Sequence, residues 1–124
     1  MFEDEMESPL RVLVVDDDRG LLVLVSRALR PPSFAVDTVA NFREARELLA
    51  LNSYDFLVFD QNIPGDQLGT EVLAEMRAAG DYRPILIHSD DERILPLVRE
   101  ARGIYVRKDF GFEPLKWALQ SFEL

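Results

Sequence analysis

Cysteine is absent from this 124-residue chain, histidine and tryptophan occur once each, and glycine only six times. The missing thiols exclude disulfides and thiolate chemistry and suit a reducing, cytoplasmic setting. No glycine-rich phosphate loop follows the first apolar run and no serine elbow is present, which argues against a flavin-binding or hydrolytic α/β enzyme. No apolar stretch approaches the ~20 residues of a membrane span, and no basic start followed by an apolar stretch suggests a secretory signal. Positive charge is scarce as well. With 14 Lys and Arg against 23 Asp and Glu, the formal charge is −9, and such a surface repels nucleic-acid phosphates. Metal ions and basic proteins are the partners it favours.

What the chain does have is a core and a rhythm. The 48% hydrophobic content and the length fit one domain. Residues 1–8 read as an acidic, frayed tail and 9–124 as the folded unit. Short apolar runs alternate with helical periodicity, the pattern of parallel strands joined by crossover helices. Strands are predicted near 10–16, 34–38, 54–59, 84–89 and 104–107, each apolar enough to be covered on both faces. Helices are predicted at about 18–30, ending at Pro31-Pro32; 41–51, with Asn41 as N-cap; 67–79; and 112–122, with Leu115, Ala118, Leu119 and Phe122 on one stripe. A fourth helix, within Asp91 to Arg102, is the weakest. Pro96 in its middle would cost ~3 kcal/mol, unless it lies in the first turn and leaves a helix of about two turns.

The fold expected is a doubly wound five-stranded parallel sheet with helices on both faces. In such sheets ligands bind beyond the carboxyl ends of the strands, where strand order reverses. This chain puts its polar residues there: Asp16 and Asp17 after strand one, Asp60 after strand three, Ser89 after strand four and Lys108 after strand five. Hard oxygen ligands of this kind suit Mg²⁺. With the cation and Lys108 neutralising phosphoryl oxygens, a carboxylate could attack phosphorus in line and form an acyl phosphate.

These residues resemble the receiver domain of two-component response regulators, a likeness that runs from Leu10 to Phe122. It is carried by Val14-Val15-Asp16-Asp17, by Asp60-Gln61-Asn62-Ile63-Pro64 with Gly69 downstream, by Pro84-Ile85-Leu86-Ile87-His88-Ser89 and by Tyr105-Val106-Arg107-Lys108. The resemblance implies the flavodoxin-like strand order 2-1-3-4-5 and Asp60 as phosphoacceptor. Asp17 would bind Mg²⁺ directly, Asp16 largely through water, and the backbone carbonyl of Asn62 would join them. Ser89 and Lys108 would each hold a phosphoryl oxygen, and Tyr105 would be the switch aromatic that follows Ser89 inward. Such a domain catalyses only its own phosphorylation and dephosphorylation. Its partners would be a histidine kinase or phosphotransfer protein and a downstream protein target or effector domain.

Four features depart from the family pattern. The segment Pro64-Gly65-Asp66-Gln67-Leu68 is one residue longer than usual. Asp109 stands where the family has a proline after a cis bond, so a trans bond and a relocated Lys108 are expected. Asp90 follows Ser89 where a small residue is preferred, and its charge would slow phosphoryl acceptance or make it depend more strongly on Mg²⁺. Asp91 matches an acidic position that, with Asn62, helps water attack the acyl phosphate and shortens its lifetime. The fourth helix is about three residues short, which leaves the output face unassigned.

Simpler roles exist for single residues. Asp16 to Asp18 could cap a helix, Asp60 could form a turn, Ser89 could simply end a strand, and Lys108 could be solvated. None of these explains why they share one rim. A second reading remains: the same fold as an interaction module that is poorly or never phosphorylated because of Asp90, Asp109 and the longer loop. His88 is expected to be packed, on the opposite strand face from Ser89. Trp117 lies off its helix stripe and could contact a partner. Apolar Leu21 to Val25 is better explained by core packing than by a homodimer contact.

Overall fold

The computed structural model describes residues 8–108 and 113–121. Most of the acidic tail, the peptide before Asp109 and the ring of Phe122 lie outside those residues. Five strands and five helices alternate: β1 (Leu10–Val15), α1 (Arg19–Ala28), β2 (Phe34–Val39), α2 (Phe42–Leu51), β3 (Phe56–Asp60), α3 (Gly69–Ala78), β4 (Ile85–Ser89), α4 (Leu95–Glu100), β5 (Ile104–Arg107) and α5 (Glu113–Gln120). The strands are all parallel, in the order β2-β1-β3-β4-β5. The order reverses between β1 and β3, so their carboxyl ends frame the crevice where such sheets take ligands.

Alternation along each strand sorts the core into two halves. Leu13, Val15, Leu57, Phe59, Ile85 and Ile87 face one side and pack with Phe42 and Ala45 of α2, Val72 and Leu73 of α3 and Val98 of α4. Val12, Val14, Phe56, Val58, Leu86 and Val106 face the other, with Leu22 and Val25 of α1 and Leu115 and Leu119 of α5. The alternation places the site. Asp16 continues the side of Val14, Asp60 that of Val58 and Lys108 that of Val106, so all three emerge over the α1/α5 layer. Ser89 continues Ile87 and emerges over the α2/α3/α4 layer together with Tyr105.

Element ends differ from the sequence expectation for local reasons. Strand three begins at Phe56 rather than Tyr54, because Tyr54 is fixed by its side chain instead, donating to Asp37 Oδ2 at 2.6 Å. The same strand runs on to include Asp60. Helix α1 closes at Ala28, since Leu29 leaves helical geometry (φ −104°, ψ 84°) ahead of the two prolines, although its N–H still bonds Val25. The approach to proline disfavours helix. Helix α3 starts at Gly69, two residues later than expected, and α5 spans Glu113–Gln120.

Helix α4 follows the second of the two readings of Pro96. A 3₁₀ turn at Glu92–Ile94, capped by Asp91, leads into six helical residues with Pro96 at their start. There the missing N–H removes no internal bond. In α1, Leu22 and Val25 are buried, but Val23 and Leu24 are each 50% exposed, so core packing explains only part of that apolar stretch. Trp117 is exposed, as its place off the stripe predicts.

Candidate functional site

The Asp run after β1 divides its labour. Asp18 is the helix cap, its Oδ1 accepting the Leu21 N–H at 3.1 Å. Capping therefore engages neither of its neighbours' carboxylates through the helix. Asp16 Oδ1 accepts the Asp18 N–H at 3.0 Å, which fixes its side chain toward the rim. Asp16 and Asp60 are buried, at 2% and 7% exposure, while Asp17 is exposed. One carboxylate oxygen from each of Asp16, Asp17 and Asp60 lies within 4.8 Å of the others.

Lys108 closes the group. Its Nζ stands 2.8 Å from Asp16 Oδ2 and 2.8 Å from Asp60 Oδ1. Its backbone N–H donates to the Ser89 carbonyl at 3.1 Å, which holds the start of the chain beyond β5 against β4. Lys108 thus occupies the shared rim and is not a merely solvated lysine.

Burial raises the pKa of Asp60. Lys108 pulls it down and Asp16 and Asp17 push it up, and the upward effects win. Burial works against the Lys108 ammonium too, yet the bonds to Asp16 and Asp60 hold its pKa above the ordinary value. Three carboxylates facing one another with a single ammonium carry excess negative charge. That donor set, all hard oxygen and close together, fits a small divalent cation.

Ser89 is buried, and its Oγ accepts the Asp91 N–H at 3.0 Å. Asp90 is exposed. Asp91 is engaged elsewhere: its carboxylate accepts from the Arg93 backbone N–H at 3.0 Å and from Nε at 2.9 Å. Hydrogen bonding to the Arg93 side chain holds its pKa below the usual carboxylate value. Glu92 forms an ion pair with Arg107, which joins the segment after β4 to β5. Tyr105 is partly buried and packs against the core that includes Ile87, Ile94 and Val98. His88 is packed at 2% exposure. Burial, followed by the charge of Lys108, lowers its pKa to about 4 against a weaker upward pull from Asp16.

The longer segment after Asp60 is knitted into α2. Ile63 to Asp66 forms a turn closed by an Asp66 N–H to Ile63 carbonyl bond of 3.0 Å. Gly65 takes the positive φ of 76° that such a turn needs. Asp66 Oδ2 accepts the Phe42 N–H at 2.9 Å, and Gln67 links Arg46 of α2 to Glu75 of α3.

The sequence reading passed over two polar residues here. Gln61 and Thr70 are buried at 4% and 7% exposure and bonded to each other. For Gln61 the sequence carries a signal, since it continues the Leu57 and Phe59 side of β3, where an apolar residue is expected.

Among the described residues, no helix is long and apolar enough to cross a membrane. Residues 12–120 match the family described as response regulator receiver domain. The response regulator MprA of Mycolicibacterium vanbaalenii is 36% identical over 111 residues, covering 86% of this chain and 47% of that protein. The chain thus spans about half the length of the curated relatives it matches. The response regulator TrrA of Thermotoga maritima, solved in complex with Mg²⁺ and beryllofluoride, superposes with a TM-score of 0.78 at 28% identity, over 90% of this chain and 97% of TrrA. TrrA has also been solved in complex with the histidine kinase ThkA, where the TM-score is 0.77, the identity 29% and the coverage again 90% and 97%. The chemotaxis response regulator CheY4 of Vibrio cholerae gives a TM-score of 0.77 at 26% identity, over 91% of this chain and 98% of CheY4.

Proposed function

The chain belongs to the response regulator receiver family, and on that premise we propose that Asp60 accepts a phosphoryl group from a phosphohistidine donor in a Mg²⁺-dependent reaction. The observation that carries this reading is the three-carboxylate group with Lys108 at 2.8 Å from two of its members. Asp16, Asp17, Asp60 and the Asn62 carbonyl would hold the cation, which when bound neutralises the charge of the phosphoryl oxygens.

Each protein group then has a task. A carboxylate oxygen of Asp60 forms the new O–P bond as the donor's P–N bond breaks and its electron pair returns to the imidazole. Burial, which keeps the Asp60 carboxylate basic, also keeps it nucleophilic. Lys108 exchanges one carboxylate partner for a phosphoryl oxygen. The Ser89 hydroxyl, now accepting from Asp91, retains its own proton to donate to another. As Ser89 moves toward the phosphoryl group, the Tyr105 ring follows into the space it leaves, and the surface over β4, β5 and α4 changes. Asp90 opposes the incoming anion. For Asp91 to aid hydrolysis together with Asn62, it must first leave Arg93.

The partners of this reading are a histidine kinase or phosphotransfer protein upstream and a protein target or effector domain downstream. Residues 9–124 act as one cytoplasmic receiver unit. Trp117, 74% exposed on α5, and the half-exposed Val23 and Leu24 on α1 are the surfaces on which a target or second copy would be sought.

Beryllofluoride tests the site without a kinase. With Mg²⁺ the wild-type chain is expected to bind it, with shifted backbone NMR signals at Asp60, Ser89 and Lys108 and a change in Trp117 fluorescence. Asp60→Asn is expected to abolish the response. A wild-type chain that stays silent at millimolar Mg²⁺ would identify the domain as an interaction module that uses the fold without phosphorylation.

A further inference from the structure

Gln61 sits between the two groups that the receiver reading uses on either side of it, the Asp60 carboxylate and the Asn62 carbonyl, yet its side chain points to the other face of β3. There it is almost wholly buried, at 4% exposure, against Thr70 at 7%. Its Oε1 accepts the Thr70 N–H at 2.9 Å and its Nε2 donates to Thr70 Oγ1 at 3.0 Å. The orientation of the amide is fixed chemically, because a backbone N–H can meet only the oxygen.

The pair repairs a defect in α3. Leu68 holds the N-cap position and has no side-chain acceptor, so the N–H groups of the first turn need partners from elsewhere. Glu71 takes the Leu68 N–H at 2.8 Å, the Gln61 carbonyl takes the Gly69 N–H at 3.0 Å, and the Gln61 side chain takes that of Thr70. Gly69 lets the two segments close up, since a Cβ there would stand 2.5 Å from the Asp60 carbonyl oxygen. Asn62 then bridges Leu68. The backbone of residues 60–62 is thereby clamped along that of 68–70.

A cap alone could be provided by Ser, Thr, Asp or Asn at position 68. Here it is provided by the one residue whose two neighbours carry the proposed chemistry. We propose that Gln61 and Thr70 are a positioning pair: their buried two-bond contact sets the backbone from Asp60 to Asn62, and through it the geometry of the acidic pocket. The inference rests on the receiver reading. Slack in the pair is felt at residues 60 and 62, where small displacements weaken ligand binding strongly.

Three variants test this: Thr70→Val, which keeps shape and removes the hydroxyl; Thr70→Ser, which keeps the hydroxyl; and Gln61→Met with Thr70→Val, which removes the amide and the hydroxyl together. Mg²⁺ affinity from NMR titration, beryllofluoride affinity and the urea midpoint are read for each. Thr70→Val is expected to weaken both affinities about tenfold, as for other groups that orient metal ligands, and Thr70→Ser to stay within about twofold of wild type. The double variant also leaves the N–H of residue 70 without its side-chain acceptor, so its urea midpoint is expected to fall below that of Thr70→Val and its binding to be at least about tenfold weak. Wild-type affinity in Thr70→Val, or in the double variant despite its lowered urea midpoint, would overturn the positioning role. A wild-type chain that binds no beryllofluoride, or an Asp60→Asn variant that binds it equally well, would instead remove the receiver reading itself.

Discussion

The two ends of the sheet are built on opposite electrostatic rules. At the carboxyl end, Asp16, Asp17 and Asp60 crowd together, and the one ammonium there pairs with Asp16 and Asp60. At the amino end, charges meet partners that match them. Arg77 donates to the carbonyls of Ala101, Asp81 and Arg102 at 3.0, 2.8 and 3.0 Å, and so ties α3 to the turn before β5. Tyr82 presents its ring to both Arg77 and Arg102 at 5.8 Å. Arg83 grips Asp81 through two nitrogens, and this hydrogen bonding depresses the Asp81 pKa where burial would raise it. The contrast teaches where the fold stores stability and where it tolerates strain. The fastened end holds the layers in register, and the crowded end keeps groups poised for a ligand that relieves their repulsion.

Titration of the crowded end is expected to give the largest effect. The folded protein protonates His88 only near pH 4, whereas the unfolded chain does so near 6.5. Between these values the unfolded state takes up the proton. The contribution is therefore full above pH 6.5 and is lost as pH falls toward 4, on the order of 3 kcal/mol in all. Asp60, whose pKa is raised, works in the opposite sense, so the comparison is made between variants. In urea unfolding across this range, His88→Leu is expected to flatten the decline relative to wild type. Equal slopes would show that His88 does not distinguish the two ends.

At the fastened end, Arg77→Ala removes three hydrogen bonds from a charged donor and is expected to cost about 2 kcal/mol of unfolding free energy. Beryllofluoride affinity should not change, so that stability and binding separate by location. A variant that lost both in proportion would break the contrast. The smallest effect is expected from Asp90→Ala. Removing one exposed carboxylate beside the pocket should speed phosphorylation by acetyl phosphate by about threefold, less at high salt, in keeping with a screened interaction worth under ~1 kcal/mol. An unchanged rate would mean that Asp90 is too far from the phosphoryl path to matter.

Much of this was legible in the sequence, and the reason is periodicity. Fully apolar strands such as Val12 to Val15 and Leu57 to Phe59 announce a sheet covered on both faces. A polar residue at the end of each then marks the rim, which is how Asp16, Asp60, Ser89 and Lys108 could be grouped. What was not legible depends on contacts between distant segments. Asp66 caps α2 across 24 residues, and nothing local to Asp66 names Phe42 as its partner. Gln61 and Thr70 meet only when the β3–α3 segment has closed. The roles of Asp16, Asp17 and Asp18 are separated by backbone direction, not by residue type, so the likeness to the family could single out Asp16 and Asp17, but only the structure shows that Asp18 is the helix cap. Asp91 likewise matches a site position by its place two residues after Ser89, yet in the structure its carboxylate is engaged by Arg93.

Lys108 has one more consequence. By bridging Asp16 and Asp60, it gives the acidic pocket a counter-ion that is part of the chain itself. Many small metal-binding domains assemble only when their metal arrives, so metal supply and protein abundance rise and fall together. If Asp16, Asp17 and Asp60 hold Mg²⁺ as proposed, the two would be uncoupled here: a shortage of divalent cations would leave the domain folded but mute, and restored supply would return the signal without new protein synthesis.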